Sequence, residues 1–437
     1  MARRYLKIVA INLILFGLFA EIAALFLYYV DTGALFYVHE KSYERIVDAP
    51  ERRLTGDALH PYFGPTHVPG LPLQIPAELR EAQPGTVDPA NPTGARTNNF
   101  GFVSPHGFPF AKTRNNQFLI GIFGGSVAAW FCHVGTPRLL DTLKAQAFFK
   151  GRELVPLCFS HEGYKQPQQL LALTYFLSIG QQFDLVINID GFNEVALAAI
   201  NDERGLDISM PSPMHMEGLI NVIDRSTLTP ERLRSMAAID GYRERLNALA
   251  ERLRRTRFAA VHVILDRYYQ RTRTLYYTEL GRLSNLPGSG SDASMIRVTP
   301  KVTQRDGRTL FTDIASQWAQ SSLMMHAMLD ERRVPYFHFL QPNQYFTTRT
   351  FNEAEGRMAL NPASPFRRGA EEGYPALISA SRGLTAGERF FNAVGIFDRE
   401  TSPVYIDDCC HYTLAGNHLL ADFVAASILG ASGPWQR

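Results

Sequence analysis

The stretch QFLIGIFGGSVAAWF, residues 117–131, decides how the chain is read. An apolar run rich in Phe, Leu and Ile leads into two glycines, a serine and a series of small residues. A short apolar run that ends in glycine reads as a strand buried on both faces, and the small residues after it as the opening of a helix. The glycines permit the tight turn between them. The same rhythm recurs outward from this point. ELVPLCF (153–159), FDLVINID (183–190), FAAVHVIL (258–265) and PYFHFLQ (335–341) are further strand candidates. Helical patterns separate them. The clearest spans 229–256, where Thr229 can cap, Pro230 suits the first turn and Glu231 favours the positive helix end. Another spans 312–333, and its Met and Trp stripe reads as core. Strands alternating with helices predict an α/β domain built on a five-stranded, mainly parallel sheet.

Three excursions interrupt the rhythm, near 201–227, 266–307 and 344–404, the second carrying LPGSGSDAS. Loops at the C-terminal ends of parallel strands surround the ligand crevice, so these are expected to form a cap. The expected organisation is a tip and anchor over 1–30, a Pro- and Gly-rich stalk or wrapping segment over 31–116, and one domain over 117–437. No internal repeat is present, and NPT at Asn91 is excluded as a glycosylation site by its proline.

The chain has 437 residues, 46% of them apolar and 20% charged, a globular composition. Lys and Arg number 44 against 42 Asp and Glu, so the net charge is +2 and nucleic acid is not an expected partner. Residues 8–30, IVAINLILFGLFAEIAALFLYYV, exceed the roughly 20 apolar residues that cross a bilayer as a helix. Arg3, Arg4 and Lys7 precede the run and Asp31 follows it. This predicts an uncleaved single-pass anchor in the inner membrane, with the N-terminus cytoplasmic and the rest periplasmic or extracellular. Glu21 within the run is expected to snorkel or be protonated. Four cysteines, Cys132, Cys158, Cys409 and Cys410, are too few for a disulfide scaffold, although one bridge is possible. Buried thiols are the preferred reading for Cys409 and Cys410, the alternative being a bridge to Cys132 or Cys158. CCH at 409–411 lacks the spacing of a chelating turn, so no metal is expected.

Four places carry polar residues suited to chemistry. Ser126 follows Gly124 and Gly125 at a probable helix start. Gly163 lies in FSHEGYKQPQQ beyond the second strand. Asn193 follows Asp190 and Gly191 after the third. Asp408 and His411, three residues apart in YIDDCCHYTLAG, would face one side of a helical turn, where the carboxylate can orient the imidazole. Each has a bland reading as a turn or cap residue, and the combination is what points to chemistry.

Taken together, these residues resemble the SGNH hydrolases, also called the GDSL family. Gly124-Gly125-Ser126 stands for its first block, Gly163 for its second, Gly191-Phe192-Asn193-Glu194 for its third and Asp408-Cys409-Cys410-His411 for its last. RTNNFGF at 96–102 is similar to the lead-in of membrane-anchored bacterial members. Gly125 and Glu194 depart from the family's usual aspartates. The resemblance implies a flavodoxin-like three-layer α/β/α sandwich with Ser126 as nucleophile, His411 as base and Asp408 as its orienting acid. It also implies an oxyanion hole made of Ser126, Gly163 and Asn193, and no cofactor. With the anchor, it leads to an expected extracytoplasmic esterase acting on O-acyl, particularly O-acetyl, esters of envelope glycans. An O-acetyltransferase, a lipid esterase, or a non-catalytic scaffold working with envelope-assembly proteins are the alternatives.

Overall fold

Four of the five apolar runs become strands, and the fifth does not. The computed structural model describes residues 2–38, 57–72, 79, 96–216, 229–286, 302–384 and 389–436. Helix α1 (Ala2–Thr32) is followed by a hairpin of β1 (Asp57–His60) and β2 (Gly64–His67). The main sheet contains β3 (Gln117–Gly124), β4 (Glu153–Ser160), β5 (Leu185–Asp190), β6 (Tyr336–Leu340) and β7 (Arg389–Asn392). Its order is β4-β3-β5-β6-β7, and every pairing is parallel. Parallel strands need helical crossovers, so both faces are covered and the strands carry apolar residues on both faces. Accordingly all eight residues of β3 are buried. Phe118, Ile120 and Ile122 enter one apolar cluster while Leu119 and Phe123 enter another, as alternation across a sheet requires.

The register aligns the strand ends that matter. Gly124 pairs with Ser160 and with Ile189, and Asp190 pairs with Leu340. The turns after β3, β4 and β5 therefore open at one edge of the sheet, the C-terminal edge where ligands bind in open parallel sheets. Those turns lead to α2 (Ser126–Trp130), which passes through a π-helical turn (Phe131–Gly135) into α3 (Thr136–Lys144), then to α4 (Gln168–Ser178) and α5 (Phe192–Glu203).

Farther along lie α6 (Pro230–Arg255), α7 (Ala259–Asn285), α8 (Gly307–Asp330), α9 (Glu353–Ala359), α10 (Arg367–Ser381) and α11 (Leu414–Gly430). Thr229 caps α6 as expected, accepting from the Arg232 N–H at 3.3 Å.

FAAVHVIL was expected as a strand and is instead the first two turns of α7. Period alone cannot separate a short buried strand from a helix segment. Here the run packs on α1, where Ala259 joins Ala24, Tyr28 and Phe36. The fifth strand is β7, within the 344–404 excursion. Helices α1, α6 and α7 belong to one compact unit and the sheet with its other helices to a second. Residues 266–285 of the 266–307 excursion thus continue α7, while LPGSGSDAS beyond Leu286 and Asn91 lie outside the described residues. In the sheet unit, Phe63, Phe102 and Phe108, from the described part of the 31–116 segment, share a cluster with Phe159 and Phe176.

Helix α1 contains one span, Lys7–Val30, long and apolar enough to cross a membrane. Glu21 within it is bonded rather than solitary, accepting from the N–H groups of Ala259 (2.6 Å) and Ala260 (3.0 Å) and from the Tyr37 hydroxyl (3.1 Å).

Candidate active site

The strand-to-helix turn is built by glycines for two different reasons. Gly124 has φ +145°, and a Cβ there would lie 2.1 Å from the Ile189 carbonyl oxygen. Gly125 has an ordinary φ of −86°, but a Cβ on it would come within 2.2 Å of Asn193 Nδ2. In this structure a side chain at 125 is excluded by Asn193, so the turn as built takes glycine. Ser126 is the first residue of α2. Its N–H lies in the first turn, where no helix carbonyl is available to accept it.

Ser126 is 8% exposed, and its Oγ lies 2.7 Å from His411 Nε2. The other ring nitrogen, Nδ1, is bonded to Asp407 Oδ2. This corrects the expected partner. Asp408 turns away, its Oδ2 accepting from Asn361 Nδ2 at 2.7 Å. The reason is local geometry. Residues 405–412 do not form a helical turn but a loop closed by the Tyr405–Tyr412 bridge and by the Ile406 N–H on the His411 carbonyl at 3.1 Å. Within it, Asp407 Oδ1 accepts the N–H groups of Cys409 (3.0 Å), Cys410 (3.0 Å) and His411 (3.2 Å). The chain is wound around that carboxylate, so spacing four rather than three meets the imidazole. Burial pushes the Asp407 carboxyl up, but the bonds and charge of His411 and the backbone donors outweigh it, and Asp407 titrates below the ordinary carboxylate range.

Asn193 opens α5 beside the serine turn. Its Nδ2 donates one hydrogen to the Tyr164 carbonyl at 2.8 Å and carries a second. Gly163 precedes that tyrosine with φ +74°, and a Cβ there would strike the His215 ring at 2.4 Å. Gly125 stands against both Asn193 and Tyr164, so the turns after β3, β4 and β5 meet in one place. Glu194, where the family has aspartate, is buried and structural: it accepts from the N–H groups of Gly191 (2.7 Å) and Gln166 (3.0 Å), tying two of these turns together.

Two features escaped the sequence reading. One is the pairing of the single possible bridge: Cys132 and Cys158 form a disulfide between the π-helical turn and β4, while Cys409 and Cys410 are free thiols, the reading preferred for them. The other is a cluster of ionisable side chains. His67, His161 and Glu162 cluster next to Gly163, with His67 Nε2 3.0 Å from Glu162 Oε2. The stretch FSHEGY displayed two of them, but His67 arrives from β2, which no local pattern announces. Burial pushes the Glu162 carboxyl up, yet His161 and His67 hold it well below the usual range. These three could ligate a divalent cation; as they stand, His67 pairs with the Glu162 carboxylate and His161 Nδ1 bonds to the Glu162 carbonyl at 3.0 Å. Cys409, Cys410 and His411 are also close enough to share an ion, but both His411 ring nitrogens already serve Ser126 and Asp407.

No protein-family model and no curated protein sequence matches the chain. The arrangement itself defines what it can do: a hydroxyl on a base, the base on a carboxylate, and the Asn193 amide beside the serine turn.

Proposed function

We propose that the protein is a membrane-anchored serine esterase of SGNH type, with Ser126, His411 and Asp407 as its triad. The observation that carries this reading is the 2.7 Å contact between Ser126 Oγ and His411 Nε2 at the end of β3, with Asp407 on the opposite ring nitrogen. The sheet order supports a flavodoxin-like arrangement, in which such an edge holds the site.

In this mechanism Ser126 Oγ attacks an ester carbonyl carbon while His411 Nε2 takes its proton. Asp407 stabilises the imidazolium and holds the tautomer. The carbonyl oxygen becomes an oxyanion and is received by the N–H groups of Ser126 and Gly163 and by the second hydrogen of Asn193 Nδ2. Each such donor contributes roughly 2.7–4 kcal/mol at the transition state. Collapse breaks the C–O bond to the alcohol, which leaves with the proton from His411. Water then repeats the sequence on the acyl-serine and releases the acid. A sugar hydroxyl in place of water would make the same intermediate an acyltransferase.

The span in α1 supports anchoring in the inner membrane with the sheet unit outside the cytoplasm, and the disulfide fits an oxidising compartment. The substrates we infer are O-acyl, chiefly O-acetyl, esters of envelope glycans. A fluorophosphonate should label the wild type and the remote control Ser178→Ala but not Ser126→Ala, and acetate should be released from acetylated glycans. Labelling that survives Ser126→Ala would overturn the reading.

A further inference from the structure

Cys409 and Cys410 stand inside the loop that carries Asp407 and His411, and their sulfurs lie 3.4 Å apart. Both are free thiols, Cys410 buried and Cys409 the more open to solvent. The peptide that joins them is held through both of its polar groups. Its N–H, that of Cys410, donates to Asp407 Oδ1 at 3.0 Å, and its carbonyl, that of Cys409, accepts from Asn343 Nδ2 at 3.1 Å. The Cys410 thiol also lies within hydrogen-bonding reach of the Ser126 side chain. One short segment therefore touches the acid of the candidate triad through its backbone and the nucleophile through a thiol.

Adjacent thiols can be joined only by deforming the peptide between them. Consecutive Cα atoms are about 3.8 Å apart across a trans bond, whereas ordinary disulfides hold theirs about 4.4–6.8 Å apart, and the sulfurs must close to about 2.05 Å. Closing the ring strains and turns the Cys409–Cys410 peptide, so the bonds to Asp407 and Asn343 are the ones it loosens. A strained disulfide is also the more readily reduced, which is the behaviour of labile and regulatory bridges rather than structural ones.

We propose that Cys409 and Cys410 are a reversible thiol modification site, joined by disulfide exchange into a vicinal disulfide that turns off Ser126. The Cys409 thiolate attacks a disulfide RSSR, forming Cys409–S–S–R and expelling one RS⁻. Burial pushes the Cys410 thiol well up, so Cys410 acts second. Its sulfur attacks the Cys409 sulfur, the bond to R breaks and the second RS⁻ leaves. The pair gives up two electrons and two protons, and the disulfide is reduced to two RSH. The oxidised loop no longer cradles Asp407, and His411 loses the carboxylate that orients it. A thiol reverses both steps. The effect on Ser126 rests on the triad reading above; the bond between the cysteines does not.

The test uses the full chain in detergent, with Cys132 and Cys158 joined and Cys409 and Cys410 reduced, in mixtures of reduced and oxidised glutathione. Trypsin releases residues 400–437, in which Cys409 and Cys410 are the only cysteines. Mass spectrometry after thiol alkylation should show that peptide losing two hydrogens as the mixture becomes oxidising. The rate of fluorophosphonate labelling at Ser126 should fall with it by at least about tenfold, a part of what losing the orienting carboxylate costs. Returning to reduced glutathione should restore both. Cys409→Ser should label at the reduced wild-type rate throughout. Thiols that stay intact at every ratio, or a lasting glutathione adduct on Cys409, would overturn the site and leave the esterase reading standing. A vicinal disulfide that leaves Ser126 labelling unchanged would overturn the control of Ser126. A vicinal disulfide in a chain whose Ser126 is unlabelled even when reduced would overturn the esterase reading and support the modification site alone.

Discussion

Among the described residues two Ser–His–Asp arrangements stand apart, and one of the two is a candidate for catalysis. In the first, Ser126 meets His411 Nε2 and Asp407 meets Nδ1. In the second, Ser322 Oγ lies 2.8 Å from His338 Nδ1, and His338 Nε2 lies 2.8 Å from Asp190 Oδ1. The contacts are of similar kind, but the surroundings are not. The His411 side chain retains 20% exposure and Asp407 34%, whereas the His338 and Asp190 side chains retain 0% and 1%. Asp190 is further held by Trp318 Nε1 (2.7 Å) and Asn188 Nδ2 (2.7 Å). Ser322 sits inside α8, with no glycine turn and no helix start offering amide donors. Hydrogen-bond geometry alone therefore does not define a nucleophile; access and oxyanion donors do. The inner set is a polar lock in a buried layer, where each group is costly to leave unpaired.

That contrast can be broken by exchanging the losses. Ser126→Ala should lower ester turnover by about 10⁴-fold or more with little change in melting temperature, since triad removal costs that much in hydrolases of this logic. Single-turnover kinetics with an aryl ester would show it. Ser322→Ala should do the reverse, costing about 1–3 kcal/mol of stability in denaturant titration while kcat stays within about threefold. Equal losses of activity from both variants would erase the distinction.

Asp407→Asn should lower kcat by about 10⁴-fold, and Asp408→Asn by less than about tenfold, because only Asp407 holds the imidazole tautomer. A larger loss at Asp408 would restore the assignment made from spacing. Smaller again, Asn193→Ala should reduce kcat by about 10²–10³-fold, the amount associated with one oxyanion donor. The smallest effect concerns pH. Asp407 is held below the ordinary carboxylate range when folded, so its contribution to stability is present above the unfolded value and is lost as pH falls through the depressed one. Asp407→Asn should therefore flatten the acid side of the stability curve. A pH-melting series on the two proteins checks it.

Much of this could be read before any coordinates. The four long apolar runs that became β3, β4, β5 and β6 are buried on both faces, so their composition alone marks them. The fifth strand is only RFFN, too short to stand out from a loop. FAAVHVIL matched a strand in composition because residues facing α1 and residues left exposed were both apolar, which hides a helix's period. Ser126, Gly163, Asn193 and His411 stood at recognisable turns. Asp407 was missed by one residue because a carboxylate collecting three consecutive N–H groups is a tertiary outcome of the Tyr405–Tyr412 closure. The same holds for His67, which reaches Glu162 from 95 residues upstream.

The bridge between Cys132 and Cys158 has a consequence for when the protein becomes competent. It closes a loop of 26 residues' separation that contains α3 and ends on β4, directly behind the helix that begins with Ser126. A closure of that size stabilises the folded chain by roughly 3 kcal/mol under oxidising conditions. Chain made in a reducing compartment lacks that clamp behind Ser126, so a test of ester turnover on material from a reducing host is informative only after the thiols at 132 and 158 have been joined.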